Sequence, residues 1–239
     1  MRPGIIWEGP SPLDGAPLVA IATHTTNRKA ANVKTGPMVQ VYILRADISP
    51  LEAVKSGQDT SICGYCPMRG NTTFKRSCYV NVGQAPVTVW NTCKAGKYSP
   101  LDFSTVELAG YGIRWGAYGD PAMLPEEVVD NWDGVVDFSL GYTHQWRSEW
   151  ASWTRGVFMA SVETQEQEAL ARSRGWATFR AGLRDGSDIG DAILCRNERD
   201  GSSCDACREC DGKPKSIYIP AHGFGAINIP AERLIRSKK

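Results

Sequence analysis

The sequence predicts an α/β protein built as a full or partial (β/α) barrel, with Cys-rich metal-binding segments attached. Three observations carry this. Strand-like and helix-like runs alternate over short connections between residues 109 and 182, the pattern of βαβ units and a parallel sheet. Right-handed crossovers wind such units toward a barrel. The 239 residues fit one domain, or one domain with a small appendage. Seven of the eight cysteines fall into two groups, at 63, 66 and 78 and at 195, 204, 207 and 210.

Residues 1–17 are rich in Pro and Gly and read as an irregular arm. PLVAIATHTTNRK and PMVQVYILRADISP then give two β-like runs around a polar turn region with Asn32 and Gly36. LEAVKSG reads as a short helix, and PVTVWNTCKAG as a helix with one apolar face. AGYGIRWGAYGDP is a strand ending in a Gly-rich loop, followed by a helix in AMLPEEVVDNW. GVVDFSLGYT is a strand and SEWASWT a helix. GVFMASVET, EQEALARSRG and WATFRAG read as strand, helix and strand. Apolar alternation returns in SIYIPAHGFGAINIP, and RSKK reads as a solvated tail. The chain thus divides into a lead-in (1–60), a barrel-like core with the early cysteines (61–194) and a C-terminal Cys-rich segment (195–239).

Composition excludes several classes. A 42% hydrophobic and 22% charged chain is not generally disordered. A net charge of +1 argues against a protein that coats nucleic acid through bulk charge. No apolar run approaches a membrane span, and MRPGIIWEGPSP lacks a signal-peptide core. The expected compartment is the cytoplasm, where thiols stay reduced. Clustered cysteines there point to metal rather than to a disulfide framework.

Cys204, Cys207 and Cys210 form C-x2-C-x2-C with Cys195 upstream. Four thiolates suit tetrahedral zinc or a [4Fe–4S] cluster, and spacing does not separate them. His222 is an alternative fourth ligand that favours zinc. Cys63 and Cys66 form C-x2-C, and Cys78 follows after eleven residues. Three thiolates leave one metal position open, the mark of a catalytic rather than a closed site. Cys93 fits the apolar face of its helix as an ordinary buried thiol. His144, in GYTHQW beside Gln145, and Glu163, in SVET, follow strands, where barrel enzymes keep functional residues. Arg114 and Arg180 lie within strands and call for anionic partners, either Asp/Glu or a substrate group.

The motifs SCYV at 77–80, RWGAYGDPAMLP at 114–125 and the group Cys195–Cys210 together resemble phage-encoded radical S-adenosylmethionine (SAM)-like proteins, the family called phage gene product 88. The resemblance runs from about residue 60 onward. It implies a [4Fe–4S] cluster on Cys63, Cys66 and Cys78 whose open iron binds SAM. GAYGDPAMLP looks like the loop that receives the SAM amino group, with Gly119, Asp120 and Pro121 in the matching places and Tyr79 following the last cysteine. The C-x2-C-x11-C spacing departs from the usual C-x3-C-x2-C of radical SAM enzymes. The implied activity is a radical isomerase or mutase acting on a modified nucleotide or DNA in the host cytoplasm.

Two other readings compete. One is a zinc-containing enzyme resembling guanine transglycosylases, with Cys204, Cys207, Cys210 and His222 on zinc and Asp120 as covalent nucleophile. The other is a non-enzymatic nucleic-acid-binding protein with two structural metal sites.

Overall fold

The computed structural model describes residues 1–23, 32–71, 75–102, 106 and 108–229, the side chain of 224 excepted. It is a mixed α/β protein with two five-stranded sheets. In the first, β1 (Gly4–Pro10), β2 (Pro17–Thr23) and β3 (Val39–Arg45) pair antiparallel. β4 (Leu108–Tyr118) and β5 (Val136–Leu140) then add in parallel beside β3. In the second, β6 (Tyr142–Thr143), β7 (Met159–Val162) and β8 (Thr178–Gly182) are parallel, and β10 (Ser216–Pro220) lies between β8 and β9 (Ile193–Leu194).

The chain passes from one sheet to the other at Gly141. The Gly141 carbonyl accepts from Met159 N at 3.0 Å. A Cβ there would sit 2.3 Å from the Phe158 ring, so only glycine lets the two elements approach this closely. Among the described residues, β1 and β9 are sheet edges with no ladder between them. The α/β expectation is met in two five-stranded sheets with intervening helices, and no closed barrel is formed among the described residues.

The helices follow the sequence where their signals are local. α1 (Pro50–Ser56) has Ser49 as N-cap, accepting from Glu52 N, and ends at Gly57 with φ 76°. α2 (Thr60–Cys63) is a single turn, and α3 (Ala85–Lys94) packs on β3 with Pro86 and Val89 inward. α4 (Glu126–Asp130) and α5 (Gln165–Ser173) follow β4 and β7, and α6 (Arg196–Asp200) and α7 (Cys204–Cys207) carry the late cysteines.

Three expectations are corrected. The Pro/Gly-rich arm is β1, because Ile5, Ile6 and Trp7 pack on the main core while its backbone pairs with β2. The helix in AMLPEEVVDNW is divided into a 3-10 turn at Pro121–Met123 and α4, because Leu124 and Pro125 are extended. SEWASWT is a 3-10 turn, Glu149–Thr154, rather than an α-helix. The RSKK tail and residues 24–31 of the first polar stretch lie outside the described residues.

The main core gathers under the first sheet around Val41, Ile43, Trp115, Trp132 and Phe158. Trp115 and Trp132 meet edge to face at 6.0 Å. A second cluster joins Met38, Leu140, Met159 and Ile217 to Cys210, and a third packs Ala171 of α5 against Ala160 and Val162.

Candidate functional site

Two strands from each sheet carry the predicted residues at their ends. β3 leads through α1 to Cys63 and Cys66, β4 to Gly119 and Asp120, β6 to His144 and Gln145, and β7 to Glu163. These are carboxyl ends of two parallel pairs, β3–β4 in the first sheet and β6–β7 in the second, joined where Asp120 bonds His144 and Gln145.

The early cysteine loop is built by backbone bonds. Cys63 closes α2 and its amide donates to Asp59 O at 2.9 Å. Cys66 precedes the 3-10 turn Pro67–Arg69. The chain then returns, and the amides of Ser77 and Cys78 both donate to Met68 O, at 3.0 and 2.9 Å. That return brings Cys78 within electrostatic reach of Cys66 and Cys63 across the eleven-residue gap. Gly225 packs on the same segment, where a Cβ would lie 2.5 Å from Ser77 O, and Asn228 Nδ2 donates to Arg76 O at 2.9 Å.

Charge around the loop is organised by Asp59, which is 2% exposed. It pairs with Arg69 at 2.8 Å and Arg76 at 3.1 Å. Burial pushes its carboxyl up, and the two arginines oppose that shift. Burial likewise pushes Cys63 well up, with further upward contributions from Cys66, Asp59 and Cys78. Cys78 is raised by burial first, with Arg76 opposing. All eight cysteines are free.

Asp120 is a bracket. Its Oδ1 accepts from Ala122 N at 3.0 Å, capping the 3-10 turn at Pro121. Its Oδ2 accepts from His144 N at 2.8 Å and from Gln145 Nε2 at 3.0 Å. Its own amide donates to Ile62 O at 2.7 Å. Burial raises the carboxyl, opposed by the Gln145 hydrogen bond and His144. Gln145 completes the bracket, donating to Cys63 O at 3.2 Å and accepting from Tyr65 N at 3.3 Å. Gly64 makes room for it, since a Cβ there would meet the Gln145 amide at 2.5 Å. Gly119 adopts φ 85°, and a Cβ would lie 2.7 Å from Ile43 Cβ.

His144 Nε2 lies 2.9 Å from Glu163 Oε1, with both side chains mostly buried. Burial alone lowers the imidazole, but Cys66 and Glu163 outweigh it and hold His144 well above its ordinary value. The imidazole thus lies between Cys66 and the Glu163 carboxylate. Tyr79 is exposed, accepts a hydrogen bond from Arg114 and lies under its guanidinium. Arg180 finds its partners in Glu168 at 2.6 Å and Asp188 at 2.9 Å.

The late cysteines form the second group. Cys195 follows β9 and its amide donates to Tyr218 O at 2.8 Å. Cys204 and Asp205 are held by the carbonyls of Lys34 and Thr35 at 2.9 and 3.0 Å. Burial pushes Cys210 up to about 12, with Tyr142 donating to its sulfur and Cys204, Cys195 and Cys207 adding to the rise. His222 uses Nε2 against Lys34 Nζ at 2.9 Å and Nδ1 against Pro220 O at 3.0 Å. Cys93 packs partly buried against the main core.

Among the described residues, no three His, Cys, Asp or Glu side chains are arranged as a formed metal centre. The donor chemistry of the early loop nevertheless fits a sulfur-rich anionic group. Two free thiols, Cys63 and Cys78, interact with Arg76 and Tyr118, whose Nη2 and hydroxyl are buried and have no partner among the described residues. Sequence reading missed Asp59, Arg76 and Tyr118. The only available signal was their position: Asp59 four residues before Cys63, Arg76 two before Cys78, and Tyr118 at a strand end.

No protein-family model matches this chain, and no curated protein or solved structure matches it. No helix among the described residues is long and apolar enough to cross a membrane.

Proposed function

We propose that the chain is an iron–sulfur, SAM-dependent radical enzyme acting on a nucleobase, nucleotide or DNA. The supporting observation is the hydrogen-bonded convergence of the early cysteine loop, Asp120, Gln145 and His144, with Glu163 on the His144 ring. Cys63, Cys66 and Cys78 would hold a [4Fe–4S] cluster, which with SAM supplies one-electron chemistry and a carbon radical. The remaining work falls to the chain. Asp120 and Gln145 fix the cysteine loop to the ends of β4 and β6. His144 and Glu163 form the proton-handling pair nearest the thiols. Tyr79 and Arg114 offer a ring and a cation to the substrate.

In this reading Cys195, Cys204, Cys207 and Cys210 hold a separate zinc or iron–sulfur group that fastens the C-terminal segment. The transglycosylase-like alternative needs Asp120 as an open nucleophile, whereas both of its oxygens accept from protein donors.

Anaerobic purification followed by iron, sulfide and zinc analysis tests the proposal, together with titration by SAM. Iron and sulfide that require Cys63, Cys66 and Cys78, with saturable SAM binding, are expected. Zinc alone, or iron-loaded protein that ignores SAM, overturns it.

A further inference from the structure

Tyr118 closes β4 and is 2% exposed, yet its hydroxyl has no hydrogen-bond partner among the described residues. Arg76 donates through Nη1 to Asp59 at 3.1 Å, while its buried Nη2 has no partner either. A buried donor left unmade costs more than a typical hydrogen bond contributes, so two of them in one place require an acceptor.

Both face the same neighbours. Arg76 feels Cys78, Tyr118, Cys63 and Asp59, and Tyr118 feels Cys63, Arg76, Asp59 and Cys78. Asp59 is already engaged by Arg69 and Arg76. The protein sulfurs alone are weak acceptors while protonated. Thiolates and inorganic sulfides are stronger acceptors and carry the negative charge that a guanidinium favours.

We infer that the Tyr118 hydroxyl and Arg76 Nη2 donate hydrogen bonds to the sulfurs of the group held by Cys63, Cys66 and Cys78. This rests on the proposed iron–sulfur reading and deepens it, assigning both residues a redox-tuning role. Hydrogen bonds to cluster sulfurs stabilise the more negative, reduced state and raise the reduction potential. Both are positioning and tuning residues rather than reacting groups.

The test compares wild type, Tyr118→Phe and Arg76→Lys, each refolded anaerobically in the presence of iron and sulfide. Arg76→Lys keeps a cation for Asp59 and withdraws the second guanidinium nitrogen. The potential is read by redox titration followed by electron paramagnetic resonance. Each variant is expected to shift to a more negative potential. The Tyr118→Phe shift should be about tenfold in the oxidised-to-reduced ratio, about 59 mV for a one-electron couple. The metal-free proteins supply a second readout. Tyr118→Phe removes an unpaired buried hydroxyl and should raise the melting temperature of the metal-free protein.

Iron bound normally with unchanged potentials overturns this inference and leaves the proposed function standing. A lower melting temperature for metal-free Tyr118→Phe also overturns it, by revealing a protein partner. Wild-type protein that takes up no iron overturns both readings, so the failures are told apart.

Discussion

Asp120 and Gln145 meet side chain to side chain at 3.0 Å in the interior, at 5% and 0% exposure. The contact ties a strand end to the cysteine loop, because the same amide nitrogen reaches Cys63 O. Gln145→Leu keeps most of the volume and removes both donors. It should cost about 1.5–3 kcal/mol, the range for a hydrogen bond to a charged group, measured by urea unfolding. Asp120→Asn should cost at least as much, because an amide whose oxygen still caps Ala122 turns its nitrogen onto the His144 and Gln145 donors.

Gly119 is required by its conformation and by Ile43. Gly119→Ala combines a positive φ with a Cβ 2.7 Å from Ile43 Cβ and 2.8 Å from Ile43 O. The expected loss is roughly 1–3 kcal/mol. Thermal unfolding checks it, and Ala at Gly57, where open space surrounds the same left-handed geometry, should cost less.

Arg180 is 1% exposed between Glu168 and Asp188. Arg180→Ala strands two carboxylates and should lose about 3–5 kcal/mol. Its effect should be on stability rather than on metal content. Iron and zinc analysis beside urea titration separates the two.

Acid should weaken the contacts around Arg45. Its hydrogen bonds hold Asp47 below the ordinary carboxylate value of 3.8. Burial pushes Asp14 up, but hydrogen bonds from Ser61, Ala16 and Ser11 outweigh it and hold that carboxyl low as well. A lowered folded pKa contributes stability above the unfolded value and loses it as pH falls through the folded one. The window therefore lies below pH 3.8. Asp47 is half exposed, so its share is at most about 1 kcal/mol after solvent screening. Asp47→Asn should flatten the fall in urea midpoint across that window, and an unchanged slope would refute the assignment.

Strands β4, β5, β7 and β8 and helix α5 were legible because each carries its own periodicity or cap. Thr164, for example, accepts from Gln167 N at the start of α5. β1 was not legible, because its stability comes from pairing with β2 rather than from GIIWEGP itself. At the site, the cysteines and the strand-end residues were readable as types. The role of Asp120 was not, since its partners come from residues 24 and 25 positions away. Arg180 announced its need for anions without naming Glu168 and Asp188. Tyr118 looked like part of a loop motif, and only packing reveals a hydroxyl without a partner.

The seal that Gly225 and Asn228 place over Ser77 and Cys78 joins positions about 150 residues apart. During synthesis the early cysteines emerge long before the turn that covers them. Contacts of such sequence separation are made late. A group delivered to Cys78 meets an open loop while the chain is still being made, and a covered one afterwards. On the proposed reading, loading and folding are ordered in time, and refolding with iron and sulfide present should succeed where adding them to the finished fold is slow.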